Sequence, residues 1–280
     1  MRNYFKVIFV FLFYVILYFV SPPCLSKVKR IISLNPGTTE MLVSLGLINE
    51  IVAVTDTCNY PPSITKKEKI GGLDINLEKV IYLHPDLVVG DISLRTLQLE
   101  RIKSLGINVL GLRCDNLADF RNSLIILGKI TGKDKKAKEV LEQFDKEFSR
   151  ISREVAKIKV KPKVFVEIWP SPLMTAGKDT FISELINAAG GYNIGEELQG
   201  QYPIVNPEWL ISKEPEVIIL TSIDVKEFIS DNRWQKLGCV KNKKVYKINP
   251  DLLVRPTPRM LKGIRQLIQF LNPTLYEKLF

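Results

Sequence analysis

Histidine is nearly absent from this chain: His84 is the only one in 280 residues. A Ser-His-Asp triad could be assembled around that residue alone, and no G-x-S-x-G nucleophile elbow accompanies it. Its setting, between an apolar segment and Pro85, predicts a turn residue and not a catalyst. Cysteine is scarce too. With Cys24, Cys58, Cys114 and Cys239 widely spaced, a zinc or haem-iron site built from His and Cys lacks ligands. The phosphate-binding motifs are broken. "GKITGK", starting at Gly128, is one residue short of a P-loop and has Asp134 where Ser or Thr is required. "GGYNIG", starting at Gly190, has the wrong spacing for a dinucleotide fingerprint. These absences exclude the common catalysts, and neither a cofactor nor a bound metal is expected.

The chain carries 40 Lys+Arg against 30 Asp+Glu, a net +10. A nucleic-acid partner would need those charges on one face and interleaved with stacking aromatics. They are scattered instead, dense only over residues 133–138 and 241–247, so a solvated basic surface and a monomer are expected. The N-terminus is different. Two cations in "MRNYFK" precede an unbroken apolar run of 14 residues, Val7–Val20, and "SPPCLS" then stops it. That order is the grammar of export. The run is short of the roughly 20 residues of a comfortable membrane span. Residues 1–26 are therefore read as a signal peptide or an N-terminal anchor, placing the protein in the periplasm or on the outer face of the cytoplasmic membrane. A lipoprotein site at Cys24 fits less well, because Pro22 and Pro23 stand where small residues normally precede the modified cysteine. Three cysteines then remain, an odd number, which predicts buried thiols over a disulfide framework.

Beyond the leader, short β-branched runs alternate with helical patterns. "RIISLNPGTTEMLVSLGL" reads as strand, turn and helix, with Asn35 at the N-cap, Pro36 at the first helical position and Gly46 at the exit. Such alternation predicts an α/β fold with mainly parallel sheets. The rhythm stops near Lys133. From there to Lys157 the chain has no Gly or Pro, and Ala137, Val140, Leu141, Phe144, Phe148, Ile151 and Val155 fall at helical spacing. After this single long helix the first program restarts. "NLEKVIYLHPDLVVG" at Asn76 is answered by "NPEWLISKEPEVIIL" at Asn206, with Glu78 matching Glu208 at an offset of 208 − 78 = 130 residues. The expected organisation is an N-terminal lobe over 27–131, a rigid connecting helix over 132–158 and a related C-terminal lobe over 159–280. A helix without a hinge residue predicts little lobe movement.

Two lobes, a helical strut and an export signal suit a solute-binding protein, and specific segments carry a resemblance. "RIISLNPGTTEMLVSLG", "NYPP", "INLEKVIYLHPDLVV", "SLGINVL" and "DLLVRPTPR" occur in order over nearly the whole mature chain. They resemble the helical-backbone (class III) periplasmic binding proteins of ABC importers, the vitamin B12 and iron-siderophore type, and most of all the cobalamin binders. The resemblance implies that Glu78 and Glu208 dock on arginines of the importer's transmembrane subunits. A glutamate in a first helical turn is also favoured by the helix dipole, by about 0.3–1 kcal/mol, so the matched pair and not either residue alone suggests docking. It further implies a ligand between the lobes, near Asn35, Pro36, Tyr60, Gly72, Trp169, Tyr202, Asp251 and Arg255. Trp169 and Tyr202 are equally plausible as core residues. The implied ligand is a corrinoid, with a ferric siderophore or haem as the alternative, and an exported α/β enzyme as the distant one. One departure stands out: cobalamin binders carry a tryptophan before the first docking helix, where this chain reads "GGLDI".

Overall fold

In the computed structural model, which describes residues 28–280, the first strand is already fully buried. The leader and its cleavage or anchoring lie outside the described residues. Strand β1 (Ile31–Ser33) is followed by helix α1 (Pro36–Ser44), β2 (Ile51–Val54), β3 (Glu68–Lys69), α2 (Leu77–Tyr82), β4 (Leu87–Asp91), α3 (Ile92–Ser104), β5 (Val109–Leu112) and α4 (Leu117–Ile130). The strands pair in the order β3-β2-β1-β4-β5, every pair parallel. Helices cover both faces, which is why the central strands β2, β1 and β4 are largely continuous apolar runs and do not alternate.

Helix α5 (Asp134–Val155) is 22 residues long, roughly 33 Å. Its stripe of Ala137, Leu141, Phe144, Ile151 and Val155 is buried, and Phe144 meets Phe120 of α4 edge-on at 5.2 Å. Gly128 allows this close packing: a Cβ there would stand 2.6 Å from that of Ala137. The first glycine of the broken phosphate-loop motif is thus a packing glycine.

The second lobe holds β6 (Lys163–Glu167), a small hairpin of β7 (Trp169–Pro170) and β8 (Leu173–Met174), α6 (Phe181–Ala188), β9 (Tyr192–Asn193), α7 (Pro207–Lys213), β10 (Val217–Leu220), α8 (Val225–Ser230), α9 (Gly238–Lys241) and β11 (Val245–Lys247). It ends in α10 (Asp251–Val254), α11 (Met260–Leu271) and α12 (Pro273–Leu279). Its parallel sheet runs β9-β6-β10-β11, the order of the first lobe with one strand fewer. The fold is α/β with two related lobes and two parallel sheets. Cys58, Cys114 and Cys239 are free, buried thiols.

The 130-residue repeat has a physical content. Asn76 accepts a hydrogen bond from Lys79 N at 2.8 Å, and Asn206 accepts one from Trp209 N at 2.7 Å. Each helix is followed by a residue of left-handed backbone, His84 (φ 43°) or Glu214 (φ 48°), directly before a proline. An acid then ties the next strand to its neighbour. The Asp86 carboxylate accepts from Lys29 N and Arg30 N at 2.8 and 2.9 Å, and the Glu216 carboxylate accepts from Lys163 N at 3.1 Å. Arg30 and Lys163 in turn donate to the carbonyls of Leu83 and Lys213 at the ends of α2 and α7. The lobes therefore repeat a cap, a turn and a staple, and each presents an exposed glutamate, Glu78 or Glu208, in the first turn of its helix.

Candidate functional site

Open parallel sheets bind ligands beyond the carboxyl ends of their strands. At that end of both sheets lies a cleft of about 420 Å³. The first lobe lines it with Asn35 and Pro36 after β1, Asp91, Ser93 and Leu94 at the junction of β4 with α3, and Cys114 and Asp115 after β5. The second contributes Asp179 to Ile182 at the start of α6, Gln201 and Tyr202 before α7, and Asp251 with Val254 to Pro256 around α10.

Asn35 occupies the N-cap position of α1, as its sequence context predicts, but its side chain makes no capping bond. It accepts instead from Thr38 Oγ1 at 2.8 Å and from Asp91 N at 3.1 Å, joining two cleft loops. Asp91 is only 6% exposed and accepts from Ser93 N at 2.9 Å. Burial pushes its carboxyl above the ordinary range against the pull of that amide, and Asp115 and Asp119 push it further. Burial, then Asp91, raises the Cys114 thiol strongly, leaving an inert group. Burial and then Asp115 also raise the Tyr202 phenol.

The cleft is acidic. Asp91, Asp115, Asp179 and Asp251 line it against one cation, Arg255. That cation is already engaged, with Asp251 at 2.6 Å, Glu40 at 2.9 Å and Asn59 Oδ1 at 2.7 Å. Asn35, Pro36, Tyr202, Asp251 and Arg255 come together here; three other residues expected near the ligand do not line this space. The Tyr60 ring is covered by the Arg259 guanidinium at 3.6 Å. Gly72 sits in the loop between β3 and α2. Trp169, on the small hairpin, is 55% exposed and donates its indole N–H to Ser171 O at 3.1 Å. Sequence reasoning missed Asp91, Asp115 and Asp179. Asp91 alone left a trace, as the acid closing the apolar run "LVVGD". Among the described residues no cluster of His, Cys, Asp and Glu is arranged to hold a metal ion. None of their helices is long and apolar enough to cross a membrane.

Comparison with known proteins agrees with this arrangement. The chain is 31% identical to an uncharacterized ABC transporter substrate-binding lipoprotein, YvrC, of Bacillus subtilis, over 89% of this chain and 82% of that one. The crystal structure of the periplasmic vitamin B12 binding protein BtuF of Vibrio cholerae superposes with a TM-score of 0.78 at 26% identity, covering 90% of this chain and 99% of that one. A possible iron-binding, periplasmic solute-binding protein from Staphylococcus epidermidis gives 0.78 at 27% identity, over 88% of this chain and all of that one. Residues 31–252 match the family model described as periplasmic binding protein. The chain belongs to the periplasmic binding protein family, a family of solute binders and not of enzymes.

Proposed function

We propose that this protein captures a corrinoid between its lobes outside the cytoplasmic membrane and delivers it to an ABC importer, docking through Glu78 and Glu208. The observation that carries the ligand reading is the charge of the cleft: Asp251 and Glu40 already meet the charge of its one arginine, leaving Asp91, Asp115 and Asp179 as its acidic groups. A corrinoid is a broad apolar face fringed with neutral amides, whose N–H groups suit carboxylate acceptors. Pro36, Leu94, Val254 and Tyr202 supply apolar wall. A ferric catecholate is an anion and would meet like charge. Haem brings anionic propionates and asks for an axial ligand. His84 lies before β4, at the opposite end of that strand from Asp91, and the raised phenol of Tyr202 works against a phenolate ligand. The likeness to the Vibrio protein supports the same reading.

The acidic cleft also suits a second ligand class, a ferric siderophore of neutral or positive charge, such as a hydroxamate complex. Calorimetric titration with cobinamide, cyanocobalamin, a ferric hydroxamate, a ferric catecholate and haem separates these. One equivalent of a corrinoid should bind, and Tyr202→Ala should weaken it more than Trp169→Ala. Saturable binding of the hydroxamate without corrinoid binding would move the assignment to the second class. Tight binding of the catecholate or of haem would overturn the electrostatic argument itself.

A further inference from the structure

Two sequence segments that resemble the family lie far apart, "SLNPGTTE" ending at Glu40 and "DLLVRPTPR" ending at Arg259. In the fold they are one object. Glu40, on α1 of the first lobe, has a side chain only 3% exposed. Its Oε1 accepts from Arg255 at 2.9 Å and from Arg259 at 2.8 Å, and its Oε2 accepts from Thr257 Oγ1 at 3.1 Å. All three donors belong to the second lobe. The first lobe adds Asn59, which accepts from Arg255 at 2.7 Å and donates to Asp251 Oδ2 at 3.3 Å, and Tyr60, whose ring lies under the Arg259 guanidinium. Asp251 holds the other side of Arg255 at 2.6 Å. Two arginines and two carboxylates leave the cluster neutral.

A buried network of this kind is poor evidence for stability, because removing charges from water offsets most of the attraction. Its geometric effect is stronger. Removing one partner strands a buried charge, so the network permits few arrangements of the segments that carry it. Here those segments belong to different lobes, and Asp251, Arg255 and Pro256 are at once network neighbours and cleft wall.

We propose that Glu40 is a positioning residue for ligand capture: it latches Arg255 and Arg259 across the lobes, fixing lobe separation at the cleft and withholding Arg255 from the ligand. The latch joins side chains of the protein alone and does not depend on which solute binds. It also gives Arg255 a different role from the direct ligand contact suggested by sequence.

The test is a distance measurement by pulsed electron paramagnetic resonance in the ligand-free protein. Spin labels go on cysteines introduced at the exposed positions Glu100, on α3, and Lys226, on α8; Cys58, Cys114 and Cys239 are buried and stay unlabelled. The unmodified network should give one narrow distance distribution. Glu40→Gln, with native circular dichroism, should broaden it by about twofold or more, because Arg259 then loses its carboxylate and Arg255 keeps only Asp251, a partner on its own lobe. A folded Glu40→Gln variant with the original width overturns the proposal. Should that variant not fold, Arg259→Met keeps the Glu40–Arg255 pair and is read the same way: broadening supports the latch, an unchanged width overturns it. Because no ligand is present, the result stands apart from any failure of the corrinoid assignment.

Discussion

The two lobes are alike where they are built and unlike where they face the cleft. The helix, turn and strand over 76–90 and 206–220 reuse an asparagine cap, a left-handed residue before proline and an acid tying two strand starts. The cleft walls share no such pattern. The first lobe offers Asn35, Asp91 and Asp115; the second offers Tyr202, Asp251 and the latched Arg255. The copied part serves the scaffold and presents the two exposed glutamates, while the divergent part lines the cleft.

The largest effect expected from this comparison is at the paired surface. Glu78→Arg with Glu208→Arg should abolish importer coupling in reconstituted vesicles, since opposed charges in a docked interface cost about 2–5 kcal/mol when lost. Ligand affinity should stay within about twofold, because the sites are separate. Normal docking by the double variant would reduce both glutamates to helix-turn acids, a role also open to them through the dipole.

The next effect sharpens an inequality inside the repeat. Asp86 accepts two backbone N–H groups and Glu216 one. Asp86→Ala should therefore lower stability in urea by roughly 1–2 kcal/mol, and Glu216→Ala by about half of that. Equal losses would mean that the staples are equivalent despite their geometry. The third effect should be symmetric. Asn76→Ala and Asn206→Ala should each cost about 1 kcal/mol, the usual value of an N-cap. A difference larger than the experimental error would show that tertiary packing dominates one of the two helices.

How legible each feature was depends on how far apart its parts lie. Both caps were readable because an asparagine and the amide three residues on are local, and α5 was readable because its apolar stripe runs uninterrupted. The cleft was only half readable. Asn35, Pro36, Tyr202, Asp251 and Arg255 were within reach through the family resemblance, which implies them. Asp115 and Asp179 are ordinary loop acids until two lobes face each other. Trp169 looked like an apolar wall, but β7 and β8 are two residues each, too short to leave a periodic signature of the hairpin that exposes it. Glu40 was hidden most thoroughly. Its partners stand 215 to 219 residues away, and nothing local distinguishes an acid on a buried helix face from one in water.

Helix α5 has one more consequence. Its buried side chains join a single apolar cluster that includes Ile31 and Leu42 from one lobe and Val164 and Leu267 from the other. The two sheets are separate in hydrogen bonding but share this cluster, so loosening either lobe around it exposes apolar surface belonging to both. A protease outside the cell should then reach this shared cluster only when both lobes loosen together, while the cores around Ile32 and around Phe165 belong to one lobe each.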